Sequence, residues 1–161
     1  MEPTKNKIVD RKELAALVKQ WKHKGETVVF TNGCFDILHL GHVDYLEKAR
    51  AKGDRLVIGL NTDDSVARLK GPTRPLNNEY SRARLLASLA FVDALTHFGE
   101  DTPYELIKEL LPDILVKGND YLAENIVGAD IVISNGGRVE TIELVQGFST
   151  TSMIDKIKKD S

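Results

Sequence analysis

Twelve residues constrain this chain more than any others: Thr31-Asn32-Gly33-Cys34-Phe35-Asp36-Ile37-Leu38-His39-Leu40-Gly41-His42. They follow an apolar run, Val28-Val29-Phe30, that reads as a buried strand. They precede Val43 to Lys52, which reads as a helix closed by Gly53. A strand, a Gly-containing turn and a helix start bring unpaired backbone N–H groups to one spot, which favours an anion there. His39 and His42 are three residues apart, so on a helical turn both rings face the same way. Gly41 between them removes a side chain where a ligand would approach the backbone. Two imidazoles beside a helix N-terminus suit a transferring phosphoryl group.

The remaining segments alternate around this stretch. Asp10 and Glu13 read as an N-cap and its capping-box partner. Leu14, Leu17, Val18 and Trp21 then share one helical face, with Trp21 as a packing anchor, and Gly25 ends the helix. Thr27 to Phe30 is the first strand, and the helix after His42 buries Leu46 and Ala49. Arg55 to Leu60 is a continuous apolar run of the kind a parallel sheet buries on both faces. Asn61-Thr62-Asp63 ends it and caps a short helix, Asp64 to Leu69. Lys70-Gly71-Pro72-Thr73-Arg74-Pro75 reads as a loop: either a plain surface connection or a flap carrying Lys70 and Arg74 to phosphates.

Asn77 or Asn78 starts the next helix, on which Arg82 and Arg84 lie on different faces. Ala94 to Phe98 is the third strand. Thr102-Pro103-x-Glu105 reads as an N-cap, a first-turn proline and an acidic third position, opening a helix that runs to Leu111 and stops at Pro112. Ile114 to Val116 is the fourth strand. It ends in Lys117-Gly118-Asn119-Asp120, at the edge where open α/β sheets hold their ligands. Gly128 to Asn135 contains the strand-like Ile131-Val132-Ile133, but the alternation favours a helix capped by Gly136. Val139 to Val145 is the last strand. Gly147-Phe148-Ser149-Thr150-Thr151 then opens a final helix, Ser152 to Lys159, and its hydroxyls either cap that helix or line a polyphosphate. The alternation gives a Rossmann-like α/β sandwich with about five parallel strands.

Composition narrows the classes. At 161 residues the expectation is a single domain over 1–161. With 22 basic and 24 acidic residues the net charge is −2, which argues against broad binding to nucleic acid or a membrane surface. A phosphate site must therefore be local. Cys34 is the single cysteine, so no internal disulfide forms, which fits a reducing cytoplasm. No apolar run reaches the ~18–20 residues of a membrane span, and Met1 to Asp10 has no signal-peptide core. No Cys/His cluster has zinc-site spacing. Neither G-x-G-x-x-G nor G-x-x-x-x-G-K-[ST] occurs, against a dinucleotide-dependent oxidoreductase and a P-loop enzyme.

The stretch TNGCFDILHLGH resembles the TxGxFDxxHxGH signature of the cytidylyltransferase-like nucleotidyltransferases, which transfer a nucleoside monophosphate from a triphosphate to a phosphate acceptor. The resemblance runs from about Gly25 to Asp155. RLVIGLNTDDSVARLKGPTRPLN, EDTPYELIKELLPDILVKGNDY and GFSTTSMI look closest to the branch acting on D-glycero-β-D-manno-heptose 1-phosphate. That branch implies ATP as donor, ADP-heptose and pyrophosphate as products, Mg²⁺ carried on the ATP phosphates, and a homodimer. It also implies a place in lipopolysaccharide or S-layer glycan precursor synthesis. Glycerol-3-phosphate cytidylyltransferases share the HxGH and the S-T-T, but their Arg-x-x-Gly-Ile pattern has no arginine here between Leu144 and Phe148. A non-catalytic nucleotide-binding regulator is the further alternative. By the resemblance, His39, His42 and Lys70 are catalytic. Thr31, Asn32, Gly33, Cys34, Phe35, Gly41, Asp63, Arg82, Asp120, Ser149, Thr150 and Thr151 hold the nucleotide. Asp36, Arg74 and Lys117 serve the acceptor.

Overall fold

The computed structural model describes Met1 to Ser161. Five strands, β1 (Val28–Gly33), β2 (Arg55–Asn61), β3 (Ala94–Phe98), β4 (Ile114–Gly118) and β5 (Arg138–Ile142), form one sheet in the order β3-β2-β1-β4-β5. Every pairing is parallel. Seven helices connect and flank the strands: α1 (Arg11–His23), α2 (Leu40–Arg50), α3 (Asp63–Lys70), α4 (Glu79–Ala87), α5 (Tyr104–Leu110), α6 (Ala129–Ser134) and α7 (Thr150–Lys159). The expected Rossmann-like sandwich with five parallel strands is what forms. No helix is long and apolar enough to cross a membrane.

The apolar strands explain the layering. One core packs Leu46 of α2 and Leu86 of α4 on Val29, Ile58 and Val116. The other packs Leu14 and Val18 of α1, Ile107 of α5 and Val132 of α6 on Phe30, Val57 and Leu115. Alternate residues of one strand therefore enter opposite cores, as a sheet covered on both faces requires. The chain leaves β1 towards β2 and β3 on one side and towards β4 and β5 on the other. This reversal opens a crevice at the carboxyl ends of β1 and β4.

Several boundaries shift from the sequence reading, each for a local reason. The second helix begins at Leu40 with extended His39 as its N-cap, so the histidine pair belongs to the first turn. Gly53 does not close that helix. A Cβ there would stand 2.8 Å from the Thr27 carbonyl, so the glycine allows a close crossing of the chain. The third helix reaches Lys70 and leaves only the residues from Gly71 onward as loop. Pro103, not Thr102, occupies the cap of α5, with no side-chain capping bond; Leu111 ends the helix in the left-handed region at φ 48°. Lys117 and Gly118 continue β4. β5 stops at Ile142 because its one neighbour, β4, ends opposite it at Gly118. The segment 129–134 is helical, with Gly136 beyond it at φ 85°. The last helix starts at Thr150, where Ser149 and Ser152 cap each other reciprocally.

The hinge from α6 into β5 rests on two adjacent glycines with different duties. Gly136 has open space around it but a left-handed backbone. A Cβ on Gly137 would lie 2.4 Å from the Asp113 carbonyl and 2.8 Å from Val132 Cγ1. We predict that Gly136→Ala costs about 1 kcal/mol, from backbone handedness alone. Gly137→Ala should cost about 2–3 kcal/mol, because packed atoms must move. Urea denaturation of both variants checks the order, and an equal or smaller loss at 137 would refute it.

Candidate active site

A cavity of about 700 Å³ crosses the carboxyl edge of the sheet. The β1–α2 turn, the end of α3, the loop after β3, the end of β4 and the start of α7 all line it. Its centre is the histidine pair. His39 and His42 stack with ring centroids 3.8 Å apart and planes 21° apart. Phe35 meets the His42 ring edge-on at 5.2 Å, and Phe148 lies over His39 at 6.3 Å. Gly41 lets this stack form: a Cβ there would meet His39 Cε1 at 2.9 Å and Phe148 Cβ at 3.2 Å. The missing side chain thus makes room for protein groups as well as for a ligand. Phe35 itself holds φ 46°, a left-handed conformation uncommon for a bulky residue and typical of over-determined sites.

Burial sets the charge of the pair. Desolvation pushes His42 down to about 4, helped by neighbouring His39 and partly offset by the Ile37 carbonyl. Desolvation also lowers His39. The Nδ1 atoms of both rings are buried without a partner. Two neutral imidazoles with unmet hydrogen-bonding capacity therefore sit at the N-terminus of α2. An anion placed there gains their polar groups and the free amides of the helix start.

Around the pair, most residues expected from the sequence line the cavity: Asn32, Gly33, Cys34, Phe35, Gly41, Lys70, Arg74, Lys117, Asp120, Ser149, Thr150 and Thr151. α7 is fastened to the turn by Thr150 Oγ1, which donates to the Ile37 carbonyl at 3.4 Å. The start of α7 is thereby held against the turn that leads into α2. Lys117 Nζ lies 3.3 Å from the Asn32 carbonyl and 5.1 Å over the Tyr121 ring. Burial lowers its pKa, with Asp120 acting the other way. Burial raises the Cys34 thiol, against the pull of Lys70 and Arg82.

Three expected nucleotide contacts do not reach the cavity. Thr31 is fully buried, its hydroxyl 2.7 Å from Tyr45 Oη. Arg82 is likewise fully buried, its guanidinium donating to the carbonyls of Cys34, Asn61 and Asn77 at 2.8–3.0 Å and to Asp63 at 2.9 Å. Asp63 is the partner of that guanidinium, not a free ligand. Asp36 borders the cavity, but its carboxylate is committed to the chain. It accepts from the amides of Leu76 and Asn77 and from Arg74 Nε, each at 2.9 Å. Burial alone would raise Asp36; the two amides and Arg74 outweigh it and hold the group below the usual carboxylate range. Asp36 therefore anchors the 71–77 loop, and Arg74 reaches the cavity already tethered to it.

The sequence reading missed Tyr45, Asn61, Leu69, Phe98, Asp101 to Pro103, Asn125 to Val127 and Leu144, all of which line the cavity. Tyr45 had a signal, since it lies three residues after His42 on the same helical face. The others come from strand ends, a helix end and loops whose approach no local pattern announces.

The cytidylyltransferase-like family model matches residues 30–153. The chain belongs to this family. It is 57% identical over 152 residues to the bifunctional protein HldE of Syntrophotalea carbinolica, covering 94% of the chain and 31% of that protein. It is 54% identical over 156 residues to the bifunctional protein HldE of Caulobacter vibrioides, covering 97% and 32%. The chain thus spans about a third of the length of the curated relatives it matches. Among solved structures it is similar to the lipopolysaccharide core biosynthesis protein of Thermoplasma volcanium GSS1. The TM-score is 0.61 at 32% identity, over 75% of this chain and 98% of that one. The pantoate-beta-alanine ligase of Francisella tularensis shares the fold, with TM-score 0.62 at 16% identity over 94% and 76% of the two chains.

The depressed His42 has a measurable consequence. Its folded value, about 4, lies below the ordinary 6.5, so between these values the unfolded chain binds more protons. The stability present above pH 6.5 is lost as pH falls towards 4. We predict that denaturation midpoints of His42→Gln fall less steeply over this window than those of the wild type. A parallel decline in both proteins would show that His42 is not held neutral.

Proposed function

We propose that the chain transfers AMP from ATP to D-glycero-β-D-manno-heptose 1-phosphate, giving ADP-heptose and pyrophosphate. The observation that carries this is the stacked His39–His42 pair, which lines one cavity together with the hydroxyl-rich start of α7. Similarity to the HldE proteins and to a lipopolysaccharide core biosynthesis protein supports the sugar phosphate as acceptor.

In this reading the acceptor phosphate oxygen attacks the α-phosphorus in line. His39 and His42 hydrogen-bond the oxygens on which charge builds, where burial makes each bond stronger than in water. Ser149, Thr150 and Thr151, with the first amides of α7, hold the β- and γ-phosphates. Asn32, Gly33, Cys34, Phe35, Gly41 and Asp120 wrap the rest of the nucleotide. Lys70 and Arg74 neutralise the acceptor phosphate as it approaches the triphosphate, and Lys117 supports its body. Mg²⁺ enters with the nucleotide as part of the substrate. Positioning and charge neutralisation supply most of the rate, and no covalent intermediate is needed. The single domain acts as a homodimer in the cytoplasm.

Groups acting on developing charge are felt in turnover. His39→Ala and His42→Ala should each lower kcat on the order of 100- to 1,000-fold, with a much smaller change in ATP affinity. Equal losses in both, or near-normal turnover, would remove the pair from this role. The base edge supplies a second test. ATP should exceed CTP by at least about tenfold in kcat/KM, roughly 1.4 kcal/mol. A preference for CTP would keep the chemistry and change the branch.

A further inference from the structure

We propose that the lobe of the cavity beside β2 and β3 is the subsite for the acceptor's hydroxyl groups, with Asn61 as the residue that reads them. This rests on the sugar-phosphate reading above. In that reading the triphosphate belongs at the starts of α2 and α7, which line the cavity. On the β2 and β3 edge of the sheet the cavity is lined by Asn61 and Phe98, the last residues of those strands and register partners. Both line the cavity, and they are only 3% and 1% exposed.

The Asn61 amide is fixed from two directions. Its backbone carbonyl accepts from Arg82 at 2.8 Å, and its Nδ2 donates to Ser65 Oγ at 2.8 Å. Its Oδ1 accepts no hydrogen bond within the protein, and the residue lines the cavity. With one Nδ2 hydrogen turned to Ser65, the amide has its acceptor oxygen left to offer a ligand. An amide oxygen that accepts nothing from the protein, on a residue only 3% exposed, favours a donor from the ligand, and a phosphate oxygen would meet it lone pair to lone pair. A hydroxyl satisfies it. Phe98, its register partner, adds apolar lining for carbon-bound hydrogens, and the exposed Thr102 adds a hydroxyl. Lys70 and Arg74, two of its cations, border the same cavity. The acceptor then spans the lobe, anionic end towards these cations and polyol end towards Asn61. Because Asn61 ends a rigid central strand, its oxygen is preorganised and discriminates by geometry.

The test uses D-glycero-β-D-manno-heptose 1-phosphate and α,β-methylene ATP as separate calorimetric titrants, for the wild type, Asn61→Ala and Thr102→Val. One lost hydrogen bond in a buried subsite should weaken heptose phosphate binding about tenfold in Asn61→Ala, with the ATP analogue unchanged within about twofold. Thr102→Val, on an exposed loop, should shift the sugar phosphate in the same direction by about threefold and serves alone if Asn61→Ala does not fold. Equal weakening of the ATP analogue would put Asn61 on the nucleotide and overturn the subsite. Unchanged sugar phosphate affinity in the folded variants would overturn it too. Pyrophosphate release is measured beside these titrations. A wild type without turnover, yet with Asn61-dependent sugar phosphate binding, would retire the adenylyl-transfer reading and leave the subsite standing.

Discussion

The geometry of the site depends on one buried cation. The Arg82 guanidinium, with no exposed surface, joins the carbonyl of Cys34 after β1, the carbonyl of Asn61 at the end of β2, and the carbonyl of Asn77 before α4. A buried charge is costly unless its donors are met, and these carbonyls together with Asp63 meet them. The compensation can exist only when three separate segments hold one arrangement. Asp36 does the complementary work with an anion, drawing Arg74 and the amides of Leu76 and Asn77 onto the turn. Between them the two charges lock the floor and one wall of the crevice before any ligand arrives.

On that fixed base the histidine pair is held in an unfavourable state for an empty site. The rings stack, lose water and stay neutral, and both Nδ1 atoms lack partners. Such unmet polarity costs stability and is retained where a ligand supplies the missing partner. Gly41 and Phe35 serve the same end: one clears space for the stack, the other accepts a left-handed backbone to bring its ring against His42. The starts of α2 and α7 then line a single volume. This is an arrangement suited to a polyphosphate held at one point and attacked from another side.

Much of this was legible in the sequence where local chemistry decides. The continuous apolar runs gave the parallel strands, Asp10 with Glu13 gave the first cap, and the HxGH turn located the crevice. Segment 128–135 was settled by rhythm over propensity: Ile131-Val132-Ile133 is helical because the parallel alternation needs a crossover there. What failed was any inference needing tertiary context. Thr102 has good capping chemistry, yet the helix takes its cap one residue later. Thr31, Asp63 and Arg82 are polar residues near the motif and looked like ligands. Only packing reveals that Arg82 ties three backbone carbonyls together, that Asp63 pairs with it, and that the Thr31 hydroxyl meets Tyr45. Asn61 looked like the end of a strand, and its commitment to Ser65 and Arg82 depends on contacts across the fold.

The central claim is that attack occurs at the α-phosphorus of ATP, and phosphorus NMR of the wild-type reaction reads this directly. With MgATP and D-glycero-β-D-manno-heptose 1-phosphate, the account predicts that pyrophosphate and a new sugar–nucleotide diphosphate diester appear in equal amounts as ATP and the sugar phosphate disappear. Formation of ADP or orthophosphate in their place would mean that the γ-phosphorus is the reacting centre, and would contradict the account.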